Sequence, residues 1–234
     1  MTNKKLTSEQ IQSLYDFTAA HFVEWYDLQT ELVDHLANGI EEKWQDDPKL
    51  SFHEALNFEF KKFGVFGFED VICSQKKALT KVYNKLVWKF VKNSFSMPTA
   101  IFLFSIIFLL IRLFADDKYG QHYFFGFIGL VILFFIILHF KIKHIKKERK
   151  KLHNKKYLLE DIIYKGGDYT VLVAGVVPQF ILRINNIENL YLQLLISLLV
   201  TITVMFFYII LYIMPAKVDN YLSKIYPEFK INAV

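Results

Sequence analysis

Residues 141–156, KIKHIKKERKKLHNKK, hold eight lysines and Arg149 against one acid, Glu148. Apolar runs long enough to enter a bilayer lie on both sides of this block. Such a density of positive charge stays on the cytoplasmic side of a membrane and so fixes the orientation of the segments beside it. No soluble core could absorb both the block and its flanks, which makes the chain read as an integral membrane protein.

Residues 97–114 are uncharged until Arg112, which lies close enough to the end to snorkel. These 18 residues extend about 27 Å as a helix, against a hydrocarbon core of about 30 Å. Residues 123–140 form a second run of the same length. A third candidate, 169–184, is shorter and contains Gly175, Pro178 and Gln179, while 190–214 has room to tilt. The flank 76–92 carries six lysines and 141–165 carries ten basic residues, whereas loop 115–122 has one lysine and loop 185–189 no basic residue. The tail 215–234 adds Lys217, Lys224 and Lys230. Four spans with both termini in the cytoplasm satisfy these counts, and the plasma membrane is the expected location.

Residues 1–96 contain no comparable run. The net charge of +5 sits mostly beside the apolar segments, where anionic headgroups account for it, so no direct nucleic-acid partner is expected. Cys73 is the only cysteine, which excludes an internal disulfide or a multi-thiolate metal site. The polar start MTNKKLTSEQ has no apolar core for a cleavable signal peptide, so the first apolar helix is expected to direct insertion.

Thr7 and Gln10 fit a capping box that opens a helix near Ser8. A second helix is predicted from about Trp25 to Trp44, with Tyr26, Val33, Leu36, Ile40 and Trp44 on one face and Leu32 at its margin. The opposite face gathers Asp27, Glu31, Asp34, Asn38, Glu41 and Glu42. Ser51 and Glu54 open a short third helix that Gly64 terminates, and a fourth starts at Glu69 and Asp70. The predicted core of this domain is Trp25, Leu36, Ile40, Trp44, Phe52, Leu56, Phe60 and Phe63.

The run ELVDHLANGIEEKW, then SFHEA, then KKFGVFGFED, resembles the small helical signalling domain called HAAS over residues 8–75. The likeness rests on the acidic helix (Glu31, Asp34, His35, Glu41, Glu42), the helix begun at Ser51 with Glu54 and Ala55, and Phe63-Gly64 closing it. Where that family ends on a Gly-x-Pro turn, this chain has Gly64-Val65-Phe66-Gly67. The resemblance implies a bacterial protein whose cytoplasmic domain precedes membrane helices and works with a PadR-type transcriptional regulator.

The fold expected is therefore all-α. It comprises a four-helix HAAS-like domain (1–80), a basic juxtamembrane helix (81–96), a polytopic membrane domain of four transmembrane helices (97–214) and a cytoplasmic tail (215–234). Asp27, Glu31, Asp34, Glu41 and Glu42 are the candidate partner-binding residues, because five acids with few interleaved lysines exceed what a solvated face needs. The lysine block itself is a second candidate for their partner. Lys141, Lys143, Lys146, Lys147, Arg149, Lys150 and Lys151 are assigned to lipid headgroups and topology. His35 and His53 lack metal-ligand spacing and read as structural or surface residues. There is no phosphate loop, nucleophile elbow or paired membrane-surface acid, so no catalytic residue, metal or cofactor is expected. Self-association is left open. Gln193, Ser197 and Thr201, with Gln179, would line the path of a small transporter or permease subunit; helix packing through small polar residues is the preferred account.

Overall fold

The computed structural model describes residues 4–95, 98–115, 120–153, 155–168 and 189–226, which are helical with short connections and contain no strand. The third apolar candidate, 169–184, and with it Gln179, lies outside the described residues. The chain divides into two compact units. One comprises residues 1–81 with 153–161, the other 82–152 with 162–234.

In the amino-terminal unit, α1 (Ser8–Ala20) starts at the Thr7–Gln10 capping box and α3 (Phe52–Lys61) at the Ser51–Glu54 box, each with both reciprocal hydrogen bonds in place. Between them α2 (Tyr26–Asp46) buries Leu28, Leu32, Val33, Leu36, Ile40 and Trp44. These positions recur every three or four residues, so burial falls on one face and the acids on the other. Trp25 and Leu56 join this core, while Phe52, Phe60 and Phe63 are only half-buried. Phe68, which the apolar pattern did not single out, is buried and meets Phe17, Phe60 and Phe63 edge-on. It can do so because Gly64 and Gly67, at φ of +79° and +55°, reverse the chain after α3. Phe22 adopts φ of +64° just past α1 and is 84% exposed, a left-handed position that glycine usually fills.

α2 and α3 approach closely at Gly39, where a Cβ would overlap the side chain of Glu59. Glu59 is 3% exposed and accepts from Lys62 Nζ at 2.7 Å. A buried carboxylate needs such a cation, and glycine provides the room. The helix α4 (Glu69–Phe95) then begins with two acids, suited to the positive end of the helix dipole.

The second unit holds the rest of α4, then α5 (Pro98–Ala115), most of α6 (Gly120–His153), most of α7 (158–168) and α8 (Leu190–Tyr208). The apolar run expected at 123–140 does not stop at the lysine block; α6 continues through it as one 34-residue helix. Lysine and arginine are strong helix formers and the block contains no Gly or Pro, so nothing in it breaks the ladder. α8 passes into a π-helical turn, Ile209–Ile213, where Met214 N–H reaches back to Ile209 O. Pro215 cannot donate to the carbonyl four residues earlier, and the turn widens just before it. The short α9 (Val218–Ile225) follows. Phe135 and Ile142 of α6, Tyr164 of α7, Phe207 of α8 and Leu211 of the π turn form one core.

Among the described residues, Leu190–Ala216 is the one helix that by itself is long and apolar enough to cross a membrane.

Candidate functional site

The five acids assigned to partner binding sit on α2 in three different settings. Glu41 is half-buried and its Oε1 accepts from Leu6 N–H at 3.0 Å, tying the amino-terminal chain to α2. Glu31 is exposed, with both carboxylate oxygens 3.2 Å from Gln75 Nε2 of α4. Asp34 and Glu42 are exposed and make no hydrogen bond or ion pair among the described residues. Asp27 does something else.

The first N–H groups of a helix have no partner inside it and need a cap. Trp25 stands at the N-cap of α2 and supplies no side-chain bond. Instead Tyr26 N–H donates to the carbonyl of Lys156 at 2.7 Å. In return Asp27 Oδ1 accepts from Leu158 N–H, the first residue of α7, at 3.1 Å. Each helix therefore caps the start of the other, the Asp27–Leu158 bond bridging 131 positions of sequence.

Charge and aromatic contacts surround these two bonds. Lys156 Nζ is 2.6 Å from Glu24 and 3.9 Å from the buried Asp161, and 4.9 Å from the centre of the Trp25 ring. Lys155 Nζ lies 3.8 Å over Tyr26, and Lys76 Nζ 4.5 Å over Trp25. Tyr157 meets Tyr26 edge-on at 6.0 Å, and Tyr157, Leu158 and Leu159 are buried. The ion pair with the exposed Glu24 contributes about 0–1 kcal/mol. Burial of Leu158 and Leu159 contributes more, about 1.5–3 kcal/mol for each such side chain. The clasp is held mainly by apolar packing and its charges set the register.

The lysine block is less free than its composition suggests. Arg149 makes a bidentate pair with Asp219, at 2.6 and 3.1 Å. Lys143 and the buried His139 both approach Asp168 at 3.7 Å, and Lys146 lies over Tyr164 at 5.8 Å. Lys141 and Lys147 are exposed. Lys150 and Lys151 lie on α6, their side chains outside the described set. On α8, Gln193, Ser197 and Thr201 are buried; Ser197 Oγ donates to Gln193 O at 2.6 Å and Thr201 Oγ1 to Ser197 O at 2.7 Å. Hydroxyls bonded to their own helix suit close packing rather than a wet path.

His35 packs edge-on against Phe63 and His53 against Phe52, and among the described residues no three His, Cys, Asp or Glu side chains converge as a metal site. The sequence pattern did not reveal Glu24, Lys155, Lys156, Tyr157, Leu158 and Asp161 as a group. A signal was present: the charged run is interrupted by Tyr157-Leu158-Leu159 and then reverses sign at Glu160 and Asp161. Comparison with protein-family models, with curated proteins and with solved structures finds no match to this chain.

Proposed function

We propose that this chain is a non-enzymatic signalling or regulatory protein of the plasma membrane, whose amino-terminal helical unit binds a cytoplasmic protein partner. In this reading the chain crosses the bilayer four times with both termini inside, α5, α6 and α8 supplying three of the spans. The outward side chains of these helices support it: Ile101, Phe102 and Leu109 on α5, Leu130, Leu133, Phe134 and Ile137 on α6, and Leu194, Leu195, Leu198 and Leu199 on α8 are exposed. An exposed apolar surface of that extent is disfavoured in water and normal against lipid.

The observation that carries the regulatory part is the clasp. Residues 153–161, directly after the membrane-flanking lysine block, belong to the same compact unit as residues 1–81. The chain therefore passes between the two units three times, so a change among the spans has several covalent routes to α2. Asp34 and Glu42, with Glu31 beside them, are the acids left to meet a basic partner. The resemblance to HAAS domains makes a PadR-type regulator the candidate.

A photo-crosslinking residue at the exposed Asn38, one helical turn from both Asp34 and Glu42 and introduced in living cells, tests this. A soluble DNA-binding protein should be captured, and Asp34→Lys with Glu42→Lys should abolish capture while helical circular dichroism is unchanged. Capture that survives the double charge reversal in a folded protein sinks the proposal. The burial of Gln193, Ser197 and Thr201 favours helix packing over a transport path.

A further inference from the structure

The last turns of α4 carry a second surface, distinct from the acids of α2. Between residues 82 and 95 the helix buries Tyr83 and Val87 and leaves Val82, Lys85, Trp88, Lys89 and Lys92 exposed. At about 100° per residue, Trp88, Lys92, Lys85 and Lys89 fall in that order within an arc of roughly 100°, and Val82 lies at its edge. No acid occurs from residue 71 to residue 95, so nothing on the helix neutralises these lysines. Trp88 is 60% exposed, with Lys92 Nζ 5.9 Å from its ring. An exposed tryptophan bordered by three lysines offers an apolar ring and positive charge on one face, a combination suited to a surface that is both apolar and anionic.

Two further facts say what covers it. The apolar α5 begins at Pro98, three residues after α4 ends at Phe95, so in the reading above the end of α4 lies at the membrane surface. Tryptophan is the side chain that prefers the headgroup level, and a lysine-rich, tryptophan-bearing face suits an interfacial helix on anionic lipid.

We infer that residues 82–92 of α4 form an interfacial helix that binds anionic lipid headgroups through Lys85, Lys89 and Lys92, with Trp88 seated at the headgroup–acyl boundary. The inference rests on the membrane reading above and adds a lipid preference and a site to it. Loss of each lysine lowers the ratio of bound to lifted helix about fivefold.

The test uses the full chain in nanodiscs of phosphatidylcholine alone or mixed with phosphatidylglycerol, each with brominated acyl chains. The bromolipid should quench the part of the emission that Trp88→Phe removes, Trp25 and Trp44 being buried in the other unit. Quenching should be greater with phosphatidylglycerol, and Lys85→Gln, Lys89→Gln and Lys92→Gln together should erase that difference. Quenching that is equal in the two discs, or a Trp88 reached by aqueous iodide and not by bromolipid, overturns the inference. So does a Trp88 shielded from both quenchers. A control in the Trp88→Phe background, Leu133→Trp on the exposed face of α6, separates the two claims. If it is quenched and Trp88 is not, only the interfacial helix fails; if neither is quenched, the membrane reading fails with it.

Discussion

The two units place polarity in opposite ways. In the amino-terminal unit Leu14, Leu36, Ile40 and Trp44 are buried, and Asp34, Glu42 and Asp46 face outward. In the second unit Leu133, Phe134, Ile137, Leu194 and Leu198 face outward, while Gln193, Ser197, Thr201 and His139 are buried. The helices are of one kind and the hydrogen-bond ladders are the same; in the membrane reading proposed above, the difference lies in the solvent each unit is built for. Water rewards removal of apolar surface; lipid does not, and there packing and internal hydrogen bonds hold the helices together.

The sharpest way to break this contrast is a matched pair of truncations. Leu36→Ala in the amino-terminal core should cost about 2–5 kcal/mol, whereas Leu133→Ala on the outer face of α6 should cost less than about 0.5 kcal/mol. Denaturant titration in detergent micelles, followed separately through each unit, measures both. Comparable losses would mean that Leu133 is packed on protein and that the inversion is not real.

A smaller effect is expected at Gly39. Alanine gains about 1 kcal/mol of helix propensity there, but must displace the buried Glu59 carboxylate, at a cost of about 1–3 kcal/mol. Gly39→Ala should therefore destabilise the protein, and the same change in a Glu59→Ala background should stabilise it. Both measured in a double-mutant cycle isolate the contact. Next comes the clasp: Asp27→Ala removes the cap on α7 and should cost about 1 kcal/mol. Hydrogen exchange should quicken at Leu158 and leave Leu36 protected.

The responses to pH also differ between the units. Hydrogen bonds from the Ser51 hydroxyl and backbone N–H lower the pKa of Glu54 below its ordinary 4.5. That support for α3 is complete above pH 4.5 and is lost as pH falls through the lowered pKa. In the second unit burial pushes Tyr83 up to about 12. The unfolded phenol ionises near 10, so its contribution is complete below pH 10 and is lost as pH rises towards 12. Tyr83→Phe should reduce the alkaline response, Tyr221 (also raised by burial) supplying the remainder, and Glu54→Gln should blunt the acid one. Ultraviolet absorbance of phenolate and circular dichroism against pH read the two.

Much of the amino-terminal unit was legible because its signals are local. Both capping boxes, the two faces of α2 and the turn glycines depend on residues within a few positions of one another. What was not legible depends on distance. Nothing near Trp25 announces that Lys156 will cap the next residue, and an aspartate at the start of a helix reads as an ordinary dipole partner. The reach of α6 was not legible for another reason: the apolar run marks only residues 123–140, although lysine propagates a helix as well as leucine does. Phe22 shows the reverse case, a residue whose identity argues against the left-handed conformation it adopts. At the candidate site, five acids on one face suggested a single surface, and the geometry of Asp27 and Glu41 divides it.

Synthesis of this protein proceeds from the amino terminus, and the clasp imposes an order on its assembly. When residue 81 leaves the ribosome, α1 to α3 are complete in sequence, yet the partner of Tyr26 N–H and the buried Tyr157, Leu158 and Leu159 have not been made. The amino-terminal unit must wait, unfinished, while residues 82–152 emerge, and reaches its final form only once residue 161 is available. Nascent chains truncated before and after that point should differ in their resistance to protease.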